Sequence, residues 1–282
     1  MSNIFSGFRE LEAPEAFIND LYSGQKLEIW DKRISIYPNL YLELKSSVNP
    51  KHTTLAKVKG SRIQKLNAEN SWGLKPRNRE QVFALDALLD DDITIVCLTG
   101  RAGTGKTILS LAAMLQKIQD KKFVKAILTR PMSEVGRYKL GTLPGDVTDK
   151  FSPFLLNFVT NLENFAGRMN VRDLIEQNGI EIVPLQLVRG ASFRNTFLIA
   201  DEMQVCDFME TLTIGSRIGE GSKIVLMGDL NQRDEKIPKE KTGLYKFFNN
   251  AKARDSELVC CIELQKCERS PTAKLFADVF ED

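Results

Sequence analysis

The stretch that decides the fold is Gly100-Arg-Ala-Gly-Thr-Gly-Lys-Thr107, which fits the pattern G-x-x-x-x-G-K-[ST] of a phosphate-binding loop. A short apolar run at 93–98 precedes it, and an apolar stretch of helical character at 108–118 follows it. Glycines let the backbone turn so that several N–H groups converge on a phosphate at the start of a helix. In this arrangement Lys106 reaches the β- and γ-phosphates, and the Thr107 hydroxyl is a Mg²⁺ ligand. The order strand, loop, helix therefore predicts a nucleotide site rather than a Gly-rich turn without a ligand.

Apolar runs of strand length recur along the chain, with helical stretches between several of them. They occupy residues 126–128, 180–183, 197–200, 223–227 and 258–262. Runs without polar alternation are typical of strands buried on both faces. Strands that alternate with helices predict an α/β fold, in which helices cover both sides of a parallel sheet.

The residues upstream of this region have a different pattern. Between 26 and 44, apolar residues alternate with mostly polar ones, which is the period of half-buried antiparallel strands joined by a turn at Tyr37-Pro38-Asn39. Residues 51–80 carry eight Lys or Arg and two Glu. We expect a small β-rich appendage over residues 1–50, a basic linker over 51–75 and a P-loop ATPase domain over 76–282. A segment that follows a nucleic-acid backbone is the alternative to a solvated linker.

Composition places the chain among ordinary soluble globular proteins. Its 282 residues are 43% hydrophobic and 27% charged, with a formal net charge of +2, which excludes collagen-like, wholly disordered and globally basic proteins. No run approaches the roughly 18 apolar residues of a membrane span. The first 17 residues include acidic ones where a secretory signal peptide would have its apolar segment, so we expect no export. Five cysteines without a C-x-x-C pair and one histidine, His52, argue against disulfides, zinc and a His-based triad. We expect a cytoplasmic location and no membrane partner.

Two later apolar runs end in polar residues. Asp201 and Glu202 follow the run 197–200, and the carboxyl end of a strand lies at the ligand edge of an open α/β sheet. We expect Asp201 to hold Mg²⁺ through water and Glu202 to orient and deprotonate the attacking water. The next run ends in Gly228-Asp-Leu-Asn-Gln232, where Gln232 would sense the γ-phosphate or position water. A plain strand-to-loop turn is the alternative at that place.

With these residues the sequence resembles the PhoH family of ATPases, which is similar to the first RecA-like domain of superfamily 1 helicases. It looks closest to the branch in which a PIN nuclease domain precedes the PhoH domain. The resemblance covers roughly residues 70–282 and implies a P-loop NTPase with a RecA-like parallel sheet. The motifs that carry it are Lys75-Pro-Arg-Asn-Arg-Glu-Gln81, the phosphate loop, Thr129-Arg130-Pro131, Leu143-Pro-Gly-Asp146, Val188-Arg189-Gly190, Asp201-Glu-Met-Gln204, Ser216-Arg217-Ile-Gly-Glu-Gly-Ser-Lys223, Gly228-Asp-Leu-Asn-Gln232 and Glu268-Arg269-Ser270.

The resemblance implies roles that the spacing alone does not supply. It implies that Asn78 and Gln81 read adenine, that Gln232 is the motif-III glutamine, and that Arg269 reaches the γ-phosphate. Arg217 is implied as a nucleotide contact, across a subunit boundary. The complete prediction has catalytic Lys106, Glu202, Gln232 and Arg269; nucleotide-binding Asn78, Gln81, Gly100, Arg101, Ala102, Gly103, Thr104, Gly105, Lys106, Thr107 and Arg217; and metal-binding Thr107 and Asp201.

The chain departs from the family pattern at three points. Met203 and Val205 differ from the residues usual around the Asp-Glu motif, and Arg233 stands where an apolar residue is usual. The third departure is that the PIN domain has no counterpart, so we expect no nuclease activity, although the PIN-containing relatives imply RNA as a substrate. Arg130 falls at the strand end that faces nucleic acid in the family, with an ordinary exposed arginine as the alternative.

Together these observations predict a Mg²⁺-dependent ATPase that couples hydrolysis to RNA or single-stranded DNA, in the manner of a helicase or translocase. Superfamily 1 helicases close ATP between two RecA-like domains, and this chain holds one. The resemblance therefore implies a homo-oligomeric ring, a hexamer by analogy. A small-molecule or nucleoside kinase shares the phosphate loop and is one alternative. A nucleotide-dependent binding module with little turnover is the other.

Overall fold

The structure, a computed structural model, describes residues 6–131, 147–167, 170–188, 192–232 and 238–268, together with Thr272, Leu275 and Val279. The strands are β1 (Phe8–Ala13), β2 (Tyr41–Ser46), β3 (Thr53–Lys59), β4 (Arg62–Lys65), β5 (Ile95–Gly100), β6 (Lys125–Arg130), β7 (Ile180–Pro184), β8 (Thr196–Ala200), β9 (Lys223–Gly228) and β10 (Val259–Leu264). The helices are α1 (Glu15–Tyr22), α2 (Arg79–Leu89), α3 (Lys106–Gln119), α4 (Val147–Ala166), α5 (Val171–Gln177), α6 (Phe208–Gly215), α7 (Gly243–Phe248) and α8 (Ala251–Arg254). Within the described ranges, no helix is both long and apolar enough to cross a membrane.

The larger sheet has six parallel strands in the order β10-β5-β9-β8-β6-β7. Every residue of β8 and of β9 is buried, which is why their sequences run apolar without alternation. On one face Phe83 and Phe158 pack from α2 and α4, and on the other Ile214 and Phe248 pack from α6 and α7. The predicted α/β class, a P-loop protein with a RecA-like parallel sheet and a small β-rich N-terminal unit, is confirmed.

The small sheet joins β1-β2-β3-β4, with β1 parallel to β2 and the other pairs antiparallel. Of the antiparallel strands expected between 26 and 44, the one after the turn is confirmed as β2, which pairs with β3. The strand expected before the turn is wrong: the segment 26–40 is irregular, and Leu27 makes a single bridge to Ile63. Its alternating apolar residues, among them Ile29 and Ile36, nevertheless pack against the core of the small unit. The alternation therefore records one buried side, which a loop lying across a core produces as well as a strand does.

The expectation of a linker at 51–75 is also corrected, because β3 and β4 lie within it. Two of its cations, Lys57 and Lys59, have acidic partners within the protein. Lys57 Nζ donates to Asp86 Oδ2 and Asp90 Oδ2, at 2.7 Å each, and Lys59 Nζ donates to Asp92 Oδ2 at 2.6 Å. Tyr41 Oη adds a 2.6 Å bond to the same Asp86 oxygen. This part of the basic segment therefore fastens the small sheet to α2 and the turn that follows it.

The small unit is also fastened to the edge strand β10. Asn39 has φ of +60°, and its Nδ2 donates to the carbonyls of Glu257 and Val259 at 2.8 and 2.9 Å. Gly7 has φ of +81°, and a Cβ there would lie 1.8 Å from the Cys261 carbonyl oxygen. Only glycine fits this close approach.

Candidate nucleotide site

A cleft of about 470 Å³ opens where β5, β8 and β9 end. These strands are parallel, so their carboxyl ends meet at one edge of the sheet, which is where open α/β sheets bind ligands. The structure brings most of the predicted site residues to its walls. They are Gln81, Ala102, Gly103, Gly105, Lys106, Thr107, Asp201, Glu202 and Gln232.

The phosphate loop leaves β5 through Gly100 and enters α3 at Gly105, two glycines with φ of +143° and +101°. A Cβ at Gly100 would lie 2.2 Å from the Leu264 carbonyl oxygen on the neighbouring strand. Lys106 Nζ donates to the carbonyls of Gly100 and Arg101, at 2.5 and 3.1 Å. The ammonium group is thus held over the loop, where the first-turn N–H groups of α3 also lie.

The loop is braced by the first turn of α2 and the segment after β10. Gln81 Nε2 donates to the Thr104 carbonyl at 3.0 Å, and Gln81 Oε1 accepts from the Arg77 N–H at 2.8 Å. The N–H of Glu268 donates to the Gly103 carbonyl at 3.0 Å. Buried Glu80 accepts the N–H groups of residues 265 and 266, at 3.2 and 3.1 Å. Glu80 and Glu268 each belong to a motif of the sequence, but the motifs alone do not predict these contacts, because the residues that meet lie far apart along the chain.

The two predicted adenine readers take part in this bracing. Asn78 is the N-cap of α2: its Oδ1 accepts from the Gln81 N–H at 3.0 Å, and its Nδ2 donates to Glu268 Oε1 at 2.9 Å. The Gln81 amide bonds to the loop and to the Arg77 backbone. The side-chain amide groups of Asn78 and Gln81 are therefore hydrogen-bonded within the protein. Recognition of adenine by these two residues remains a prediction.

Asp201 lies at the centre of the cleft wall and is buried. Its N–H donates to the Thr129 carbonyl at 2.9 Å, and its Oδ2 is 3.4 Å from Thr107 Oγ1. Burial and the neighbouring Glu202 carboxylate raise the pKa of Asp201 to about 6. Asp229, on the same wall, has a buried Oδ2 that accepts no hydrogen bond within the described residues. These hard oxygen donors fit Mg²⁺, which proteins bind through one or two carboxylates plus the phosphates.

Glu202 is presented to the cleft by a strained backbone. Its φ and ψ are +56° and +33°, the left-handed region that a residue with a side chain seldom adopts. Its Oε2 accepts from Gln204 Nε2 at 2.6 Å, and its Oε1 is 3.8 Å from a guanidinium nitrogen of Arg130. Gln204 Oε1 in turn accepts the N–H of Asp229 at 3.2 Å. Gln204, for which the sequence predicts no role, thus connects the end of β8 to the end of β9.

The remaining predicted residues fall in three places. Gly100, Arg101 and Thr104 belong to the phosphate loop without forming the cleft wall. Arg217 lies between α6 and the start of β9, where its carbonyl accepts from Phe193 ahead of β8. That is the amino edge of the sheet, so Arg217 does not reach the cleft of its own chain, and a contact across a subunit boundary remains a prediction. Arg269, residues 143–146, Arg189, Gly190 and Arg233 lie outside the described residues.

A family model described as PhoH-like protein matches residues 73–281. Protein PhoH2 of Bacillus subtilis is 33% identical over 98% of this chain and 64% of its own length. The chain belongs to the PhoH family. Protein PhoH2 of Mycolicibacterium smegmatis is 35% identical over 75% of this PhoH chain and 48% of its own length, so the chain spans about half to two thirds of these relatives.

Solved structures are more distantly similar to this PhoH chain. The Pif1 helicase of Candida albicans is 18% identical, with a TM-score of 0.36, over 72% of this chain and 43% of the helicase. The SWI2/SNF2 ATPase core of Sulfolobus solfataricus is 16% identical, with a TM-score of 0.40, over 68% of this chain and 40% of that core.

Proposed function

We propose that this PhoH protein binds ATP with Mg²⁺ in the cleft and hydrolyses it. The observation that carries the proposal is the grouping of Lys106, Thr107, Asp201 and Glu202 on one wall, with Thr107 Oγ1 and Asp201 Oδ2 3.4 Å apart. A cation, a hydroxyl and two carboxylates at a helix N-terminus are the groups that phosphoryl transfer to water requires.

Each side chain has a separate task in this proposal. Thr107 and Asp201 would hold Mg²⁺, which supplies positive charge to the β- and γ-phosphates. Lys106 adds its own charge at the phosphate loop, and Glu202 orients a water and takes its proton. Gln232 contacts the γ-phosphate from the end of β9, and Arg269 does so from the segment after β10. The water attacks in line with the bond from the γ-phosphorus to the leaving oxygen.

We also propose that hydrolysis is coupled to RNA or single-stranded DNA, and that the protein acts in the cytoplasm as a homo-oligomeric ring. The support is the family resemblance, together with Arg130, which stands at the end of β6 and approaches Glu202. The position of Arg217 at the amino edge of the sheet suits a contact with the cleft of an adjacent copy. A ring in which each copy presents this edge to the next is a heterologous assembly that closes.

Steady-state ATP hydrolysis with Mg²⁺, measured with and without single-stranded RNA or DNA, tests the proposal. Lys106→Ala and Glu202→Gln are the matched variants. We expect turnover that one polymer stimulates and that both substitutions abolish, while Glu202→Gln still binds ATP. ATP binding without turnover under every polymer would contradict the proposed hydrolysis and favour a nucleotide-dependent binding module. Transfer of the phosphoryl group to a small acceptor would instead indicate a kinase.

A further inference from the structure

Two asparagines of α4 line the nucleotide cleft although they belong to none of the motifs above. Asn157 and Asn161 are four residues apart and therefore share one face of the helix. The adjacent Phe158 and Leu162 are fully buried in the core. Their packing fixes the rotation of α4, so the asparagine face is directed to the cleft by the core rather than by a mobile loop.

The two amides are oriented by bonds to each other. Asn161 Nδ2 donates to the main-chain oxygen of Asn157 at 2.7 Å and to Asn157 Oδ1 at 2.8 Å. Because Asn161 Nδ2 is the donor in both bonds, its Oδ1 faces the other way. Within the described part of the chain, Asn157 Nδ2 donates to no acceptor and Asn161 Oδ1 accepts from no donor. On a helix face that lines the cleft, the pair therefore leaves one donor, Asn157 Nδ2, and one acceptor, Asn161 Oδ1, for a ligand.

The cleft also has apolar surface that suits a flat aromatic ring. Leu74, Ile108 and Leu109 line the same cleft as the two asparagines, together with the phosphate loop and the carboxylates. Gln81 lines the same cleft, but both ends of its amide are bonded to the protein. Ligand pockets of this kind take the face of a ring on apolar side chains and fix its edge with a few polar groups.

We infer that Asn157 and Asn161 bind the edge of the nucleotide base and select adenine over guanine, an inference that rests on the proposed nucleotide site. On the edge that carries N7, adenine presents an acceptor, N7, beside a donor, the N6 amino group. Asn157 Nδ2 and Asn161 Oδ1 match these two groups. Guanine presents two acceptors on that edge, N7 and O6, so its O6 would face Asn161 Oδ1 without a hydrogen atom between them.

Equilibrium binding of ADP, GDP and tripolyphosphate to the full chain in Mg²⁺ tests this inference. We expect the parent protein to prefer ADP over GDP by about tenfold or more, as one good two-bond base contact provides. The double variant Asn157→Ala/Asn161→Ala should lose most of that preference and bind ADP about tenfold more weakly. Its affinity for tripolyphosphate should match the parent's, because the phosphate loop is unchanged.

Asn164→Ala is the matched control, since Asn164 lies on α4, is exposed, and bonds only to helix carbonyls within the described residues. It should keep the parent's ADP preference, and thermal unfolding should show all three proteins folded. Equal ADP and GDP affinity in the parent, or an undiminished preference in the double variant, would overturn the inference. Lys106→Ala separates the two proposals: ADP and tripolyphosphate binding that this substitution leaves unchanged would contradict the nucleotide site itself.

Discussion

Gln204 donates a hydrogen bond to the Glu202 carboxylate, and Gln204→Met tests whether that bond holds the carboxylate in position. Methionine has a similar volume to glutamine but can form neither of the two hydrogen bonds that the side-chain amide makes. The substitution removes the 2.6 Å hydrogen bond to Glu202 Oε2 and the acceptor of the Asp229 N–H. Gln204 is buried, and a Cβ at Gly228 would lie 2.3 Å from its Oε1. Because the side chain is closely packed, a small shift of the neighbouring groups cannot replace the two lost hydrogen bonds.

The magnitude follows from the charge on the acceptor. A hydrogen bond to a charged group contributes about 1.5–3 kcal/mol. If that energy serves to hold the Glu202 carboxylate toward the attacking water, its loss lowers kcat by about 10- to 150-fold. The nucleotide-binding groups Lys106 and Thr107 are untouched, so KM should change less than about threefold, the pattern expected when an interaction acts on the chemical step. The Asp229 N–H left without an acceptor should lower the free energy of unfolding by about 1–3 kcal/mol.

Steady-state ATP hydrolysis and ADP binding on the same preparations distinguish positioning from damage. Gln265→Met is the control, because Gln265 also donates to a glutamate, Glu263 Oε2 at 3.2 Å, but is exposed. The control should keep the parent's kcat. A Gln204→Met protein with kcat within twofold of the parent, or one in which kcat falls only together with ADP affinity, would refute the positioning role.

Three further results are expected. Gly100→Ala should lower the free energy of unfolding by more than about 2 kcal/mol, because its Cβ would clash with the Leu264 carbonyl; an unchanged urea midpoint would contradict this. Burial raises the pKa of Asp90, but the ion pair with Lys57 lowers it by more, so the pKa lies below the ordinary value of 3.8. The ion pair therefore stabilises the fold at neutral pH, and this stabilisation is lost as acid protonates Asp90. The free energy of unfolding of Lys57→Met should depend less on pH below about 4 than that of the parent, and an equal dependence would argue against the pair. Asp201→Asn should abolish the Mg²⁺ dependence of ADP binding. It should also raise the free energy of unfolding of the nucleotide-free protein at pH 7 by about 3 kcal/mol, because a carboxyl group with a raised pKa destabilises the fold when it is ionised. A lower melting temperature of this variant would count against that reasoning.

The parts of this molecule that sequence predicts are those with a local cause. The phosphate loop needs its glycines, lysine and threonine at fixed spacing, and it lies where the pattern placed it, between β5 and α3. The acids Asp201 and Glu202 were found because a fully buried strand, β8, comes directly before them. Each of these inferences uses residues within about ten positions of one another, a range in which spacing along the chain fixes spacing in space.

The parts that sequence analysis missed depend on contacts between distant residues. Lys57 looks like a solvated cation in the sequence, but Asp86 and Asp90, on and beside α2, face it in the fold. The irregular segment between 26 and 40 alternates like a strand because it lies across a core that includes Ile63. Asn157 belongs to no motif of the sequence. Its separation from the phosphate loop along the chain does not reveal that α4 packs on α3 and brings Asn157 to the cleft. In each case the partner, not the residue itself, determines the role.

Helix α2 connects the small N-terminal sheet to the nucleotide cleft. Its first turn holds the phosphate loop through Gln81, while its last residues are held by two buried lysines. Lys57 reaches from β3 to Asp86 and Asp90, and Lys223 Nζ donates to the carbonyls of Ala87, Leu88 and Asp90 at 2.8–3.0 Å. Those carbonyls have no partner inside the helix, so Lys223 supplies one from the start of β9. The small sheet also holds the first turn of α2, because Arg79 pairs with Glu10 of β1 and Glu43 of β2. The small sheet therefore holds α2 at both ends, and the first turn sets the position of Gln81 against Thr104.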